Sequence, residues 1–227
     1  MPGLLGSNSG QAYQAAKRVL FVLCLLPVAY YGQGMWLDTL GANPVEAATR
    51  GLGGWALKLL LITLAVTPLR RLTGWTWLLK LRRTLGLFVF FYACLHLTAY
   101  LWLDQFFDWP AIGKDILKRP FITAGMIAFV LLVPLVATSS HAMIRRLGGR
   151  RWQKLHRLIY PLTMVAVLHY TWMVKVDVRQ PALYGVILAV LLGLRLKWYW
   201  LDRQRQQPAV AGYPRANGRV IPIIPRR

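Results

Sequence analysis

"LRRTLGLFVFFYACLHLTAYLWLD", residues 81–104, opens on two arginines, closes on an aspartate, and carries no other Lys, Arg, Asp or Glu between them. About 20 mainly apolar residues in a helix match the ~30 Å hydrocarbon core of a bilayer, so residues 84–103 predict a transmembrane span. Five further runs of the same kind, 19–36, 52–69, 121–141, 155–174 and 181–201, extend that prediction to an all-α, six-helix integral membrane bundle with no room for a soluble domain. The composition agrees: 56% of the 227 residues are hydrophobic, while 28 Lys+Arg stand against 7 Asp+Glu.

So large a positive charge would also suit nucleic acid, and its placement excludes that partner. Residues 69–83 hold Arg70, Arg71, Lys80, Arg82 and Arg83 without an acid, and residues 145–157 hold Arg145, Arg146, Arg150, Arg151, Lys154 and Arg157, again without one. Six of the seven acids, Asp38, Glu46, Asp104, Asp108, Asp115 and Asp177, fall in the other three connections. The positive-inside rule therefore predicts the basic connections and both termini in the cytoplasm, as in a multi-pass membrane protein. Lys17 and Arg18 ahead of the first run also suit a secretory signal. Its removal would leave five spans and spoil the alternation of charge, so the run is kept as a helix. The expected organisation is a cytoplasmic tail over 1–16, the membrane domain over 17–201, and a basic, disordered tail over 202–227 lying near anionic headgroups.

Cys24 and Cys94 both lie inside apolar runs, and neither belongs to a C-x-x-C-H sequence, so any haem would be held non-covalently. The four histidines, His96, His141, His156 and His169, all lie in or at the ends of the third, fourth and fifth runs. An ionisable group at membrane depth is costly unless paired, which makes each a functional candidate. A single histidine bonded to a neighbouring helix is the plainer alternative.

His96 is thirteen positions past Arg83 and His169 twelve past Arg157, on two runs predicted to cross in the same direction, so the pair is expected at one depth. Two imidazoles with no cysteine or carboxylate in helical reach suit the two axial positions of a haem iron better than a zinc site. Phe90, Phe91, Tyr92, Leu95, Leu97 and Leu168 are candidates for the ring's edges.

His156 lies thirteen residues before His169, roughly 20 Å along a helix, at a depth suited to a second haem. On a straight helix the two side chains would point about 140° apart, and only a kink at Pro161 would reconcile them. The matching inner position of the third run is Arg82, whose guanidinium suits a haem propionate, a flavin phosphate or a quinone carbonyl. Snorkelling to headgroups is its plainer role. His141 is expected at the cytoplasmic interface.

The block "TSSHAMIRRLGGRRWQKLHRLIYPLTMVAVLHYTW", residues 138–172, resembles the MsrQ (YedZ) family, membrane subunits of bacterial methionine sulfoxide reductase systems. The matching features are T-S at 138–139, R-R-L-G at 145–148, R-W-x-x-L-H-R-L-x-Y at 151–160 and H-x-x-W at 169–172. Residues 81–97 also resemble its third helix. The family is similar to the membrane domain of ferric reductases, in which two helices bring two histidines each to two stacked haems; here Arg82 stands where one of the four would be. The resemblance implies haem b at His96 and His169, a second haem or FMN as further candidates, and electrons drawn from the quinone pool or a flavin reductase. It also implies a periplasmic molybdopterin-dependent methionine sulfoxide reductase as partner.

A haem with both axial positions filled transfers electrons rather than activating substrate, so an electron conduit is the expected function. Two alternatives stay open at this point. A transmembrane ferric reductase would need a separate flavin reductase, since no G-x-G-x-x-G follows a strand. A histidine-lined metal or proton transporter would normally place carboxylates near the midplane, whereas all the acids here lie in connections or tail.

Overall fold

The computed structural model describes residues 4–174 and 176–206. Its elements are helices throughout: α1 (Leu4–Trp36), α2 (Pro44–Thr73), α3 (Leu78–Thr98) with a π-helical continuation Ala99–Asp104, and α4 (Trp109–Lys118). After these come α5 (Pro120–Ala137), α6 (His141–Leu147), α7 (Gly149–His156), α8 (Ile159–Met173) and α9 (Arg179–Gln206).

Local chemistry sets the boundaries. Asn43 accepts from the Glu46 amide at 3.1 Å and Pro44 supplies a preset first-turn φ, which starts α2. Gly74 ends it in the left-handed conformation, φ 75°, its amide bonded to the Arg70 carbonyl at 2.9 Å. Asp108 caps α4 through the Ala111 amide at 3.0 Å, with a proline following, so a short amphipathic helix stands where only a connection was expected.

Five helices are long and apolar enough to cross a membrane, over Gly10–Trp36, Pro44–Thr73, Leu78–Asp104, Pro120–Ala137 and Arg179–Gln204. The predicted run 155–174 is divided instead. Its first residues close α7, Arg157 and Leu158 form a turn, and α8 has 15 residues, about 22 Å of helix. Pro161 explains the break: it has no amide to donate to the Arg157 carbonyl, and it is tolerated here because it occupies the first turn of α8. The tails differ from expectation in extent. Helix α1 already begins at Leu4 and α9 runs to Gln206, so only residues 1–3 and 207–227 of the predicted tails lie outside the described residues.

Two antiparallel pairs form the centre, α2 with α3 and α5 with α8. Leu57, Leu60, Leu61 and Leu64 of α2 meet Leu85, Phe88, Val89 and Tyr92 of α3, and Leu132, Leu135, Ile159 and Leu162 join them from α5 and α8. Outward, α1 and α9 expose Phe21, Val22, Leu23, Val186 and Val190, an arrangement suited to lipid rather than water.

Backbone polarity is satisfied inside the bundle, as a bilayer requires. Pro68 of α2 lacks the amide that would normally bond the Leu64 carbonyl, and the Arg195 guanidinium of α9 fills that vacancy at 2.6 Å. The buried Tyr92 hydroxyl donates to the Cys24 carbonyl of α1 at 2.7 Å. Tyr92→Phe should therefore cost about 1 kcal/mol and lower the melting temperature in detergent by roughly 2–4 °C; an unchanged melting curve would show that this bond does not tie α1 to the bundle.

Candidate functional site

The two helix pairs repeat one local device at one end of the bundle. His96 of α3 directs Nδ1 to the Thr49 carbonyl of α2 at 2.8 Å, and His169 of α8 directs Nδ1 to the Phe121 carbonyl of α5 at 2.6 Å. A carbonyl only accepts, so each Nδ1 carries the proton and each Nε2 keeps its lone pair. Four residues past each carbonyl is a glycine, Gly53 on α2 and Gly125 on α5. One turn on, these glycines lie beneath the imidazoles: a Cβ on Gly53 would stand 2.9 Å from His96, and one on Gly125 would stand 3.0 Å from His169. Without side chains there, each ring can lie on the neighbouring helix and reach its carbonyl.

The two rings face one another with centroids 6.1 Å apart and planes inclined by 70°. Two imidazoles bonded to opposite sides of one metal ion at about 2 Å, through nitrogens about 1 Å from their ring centres, have centroids about 6 Å apart. The 6.1 Å spacing is thus compatible with a two-imidazole metal centre, each ring keeping its Nε2 lone pair. Among the described residues, no group of three or more His, Cys, Asp or Glu comes together to hold an ion. Around the pair is a largely apolar cavity of about 250 Å³, walled by Leu57, Leu60, Val89, Phe129 and Leu162, with Arg50 and Arg119 among its lining residues. Free lone pairs at this spacing, side-chain-free cradles and apolar walls fit a flat porphyrin held from both faces.

At the other end of the bundle, Arg82, Trp152, Gln153, His156, Arg157 and Tyr160 line a polar cavity of about 190 Å³. Here the imidazole has the opposite tautomer. Thr138 spends its hydroxyl proton on the Pro134 carbonyl at 2.6 Å, so its oxygen accepts from His156 Nε2 at 3.1 Å. Trp152 stacks on the same ring with centroids 4.0 Å apart, and its indole N–H reaches the Thr138 carbonyl at 2.9 Å. Arg195 donates to the Tyr160 hydroxyl at 2.9 Å. Arg82, half-buried, has no ion-pair partner among the described residues.

Residues 52–167 match the family described as the ferric reductase like transmembrane component, a stretch that includes Arg82, His96 and His156 and stops two residues before His169. The protein-methionine-sulfoxide reductase heme-binding subunit MsrQ of Azospira oryzae is 58% identical over 183 residues, 80% of this chain and 78% of its own length. The chain belongs to the MsrQ family. MsrQ of Herminiimonas arsenicoxydans is 53% identical over 86% of this chain and 90% of its own length, and MsrQ of Ralstonia nicotianae 49% identical over 93% and 96%.

Of the residues expected to matter in this MsrQ chain, the fold brings His96 and His169 together and separates them from Arg82 and His156, which share the second cavity. His141, exposed, is the first residue of α6 and lines neither. Among the predicted ring-edge residues, Leu97 lines the histidine cavity, whereas Tyr92 is buried against α1 and Phe91 and Leu168 face outward. Sequence reasoning missed Thr49, Gly53, Phe121 and Gly125. The signal available was a glycine inside each of two apolar runs, which commonly marks close approach of another group.

Proposed function

We propose that this MsrQ chain is the haem-binding membrane subunit of a protein-methionine-sulfoxide reductase system, with haem b held between His96 and His169. The observation that carries this is the matched pair of Nδ1–H bonds to Thr49 and Phe121, which leaves an Nε2 lone pair on each of two rings whose centroids are 6.1 Å apart. Relatives named heme-binding subunits, at 49–58% identity over most of the chain, support the same assignment. When bound, haem supplies one-electron transfer.

The chain's own residues do the rest. The Thr49 and Phe121 carbonyls fix each imidazole's tautomer and direction. His96 and His169 would both be engaged in holding the haem, which would then supply electron transfer rather than a substrate site, so sulfoxide reduction belongs to a partner. That partner is a periplasmic molybdopterin-dependent reductase docked on the outer connections, which hold six of the chain's seven acids. Counting α8 as the sixth crossing, the positive-inside rule places both termini and the Arg82 cavity on the cytoplasmic side of an inner membrane. There Arg82 and His156 form the entry for reducing equivalents, from the quinone pool or from reduced flavin such as FMN. A second haem at His156 would require its Nε2 to leave Thr138.

A reduced-minus-oxidised optical spectrum of the purified protein, with haem quantified per chain, tests the assignment. One low-spin b-type haem is the expected result, and none would overturn it. Arg82→Gln and His156→Ala should keep that haem while slowing its reduction by quinol or reduced flavin by about 10-fold or more, the scale of losing a charge-assisted contact. Unchanged reduction by both donors would remove this cavity from the path.

A further inference from the structure

The histidine cavity opens at a rim where cations are placed with the same regularity as the glycines. Arg50 directly follows Thr49, whose carbonyl anchors His96, and Arg119 stands two residues before Phe121, whose carbonyl anchors His169. Both arginines line the cavity, one from each helix pair. Each is tethered along its own chain segment to an acid four residues earlier, Arg50 to Glu46 at 2.6 Å and Arg119 to Asp115 at 3.2 Å. The Arg50 and Arg119 side chains remain 56% and 54% exposed, so these pairs contribute little to folding and do not occupy the guanidiniums fully. Besides the two histidines, the other charged or titratable groups lining the cavity are Asp104, bonded by Gln105 at 2.9 Å, Tyr100, whose hydroxyl lies 3.5 Å from Asp115, and Tyr170, whose hydroxyl donates to Gln180 at 2.9 Å.

Two guanidiniums carry five donors each, more than one carboxylate apiece can use. Arg119 is also the residue that precedes α5, so the positive end of that helix dipole lies at the same place. A haem brings two carboxylates into an otherwise apolar cavity, and burying them unpaired would be costly. Arg82, the guanidinium first considered for this task, lines the other cavity.

We propose that Arg50 and Arg119 are the carboxylate clamp of this site, each holding one propionate at the outer rim while keeping its tethering acid. The inference rests on the haem assignment above and adds an orientation: propionates toward the rim formed by Arg50 and Arg119, apolar edge toward the bundle centre. Glu46 and Asp115 then serve to aim the guanidiniums and to limit the net positive charge left when haem is absent.

The test compares haem with its dimethyl ester, which keeps the iron and loses both carboxylates. Apoprotein in detergent is loaded with each, and the rate of loss to excess apomyoglobin is followed optically. The wild-type chain should retain haem at least about 10-fold longer than the ester, since one charge-assisted bond is worth that factor or more. Arg50→Gln with Arg119→Gln should erase the difference, Arg50→Lys with Arg119→Lys should restore part of it, and Arg83→Gln at the opposite end should leave it intact. Equal retention of the two compounds by the wild-type chain, or full discrimination by the double Gln variant, would overturn the clamp while leaving the histidine assignment standing. Haem retention by a chain lacking both His96 and His169 would overturn both.

Discussion

His96→Ala takes the haem content from about one per chain to none, and His169→Ala does the same, while both variants still insert and purify as the parent does. On the proposed assignment each imidazole would supply one of two metal bonds, and the geometry offers no substitute: among the described residues, no third ligand-type side chain clusters with the pair. The surrounding fold should tolerate the loss. Both rings line a cavity rather than filling the core, so truncation enlarges an existing space, and the hydrogen bonds given up leave carbonyls that remain acceptors within their own helices. Exogenous imidazole, small enough for the enlarged cavity, should restore part of the low-spin spectrum in either single variant. Full haem in the His96→Ala/His169→Ala double variant would sink the assignment, whereas loss of haem accompanied by loss of the folded protein would be separated from it by the imidazole rescue.

The parts of this fold that follow from solvent preference were legible in the sequence. Apolar length located the long helices, and nearly equal spacing from Arg83 and Arg157 put His96 and His169 at one level. Their facing orientation was not legible, because a histidine's direction depends on what the neighbouring helix presents. The Thr49 and Phe121 carbonyls are backbone atoms, identical in kind to those of any residue, and carry no side-chain signature. The division of the run 155–174 was half visible. Pro161 announced a break, but the stacking of Trp152 on His156 and their joint attachment to Thr138, eighteen residues before His156, are tertiary facts. The same attachment settles a question that helical angles could only pose. His156 is held by its Nε2, while His96 and His169 are held by Nδ1, so histidines drawn from neighbouring apolar runs have unlike chemistry.

Gly53→Ala should lower haem affinity by about 10- to 100-fold, the range found when groups that orient a metal ligand are disturbed. The added methyl would stand 2.9 Å from both Cε1 and Nδ1 of His96, closer than non-bonded carbon atoms normally approach, and the ring cannot retreat without lengthening its 2.8 Å bond to Thr49. Displacing the ring tilts Nε2 away from the line joining it to His169, so the damage is directional and does not require unfolding. Alanine is also the better helix former by about 1 kcal/mol, which works in favour of the protein's stability and against any claim that haem is lost through a weakened α2. Gly125→Ala places its methyl at 3.0 Å from His169, slightly less crowded, and should have the smaller effect of the two. Gly86→Ala provides the control, since a Cβ there meets nothing within 4 Å. Haem titration and thermal melting of the three variants give the decisive pattern. Affinity should fall in the order Gly53→Ala, Gly125→Ala, Gly86→Ala without a parallel fall in melting temperature of the apoproteins. Equal affinities in all three would mean that the imidazoles do not need these cradles, and that the carbonyl bonds alone set their direction.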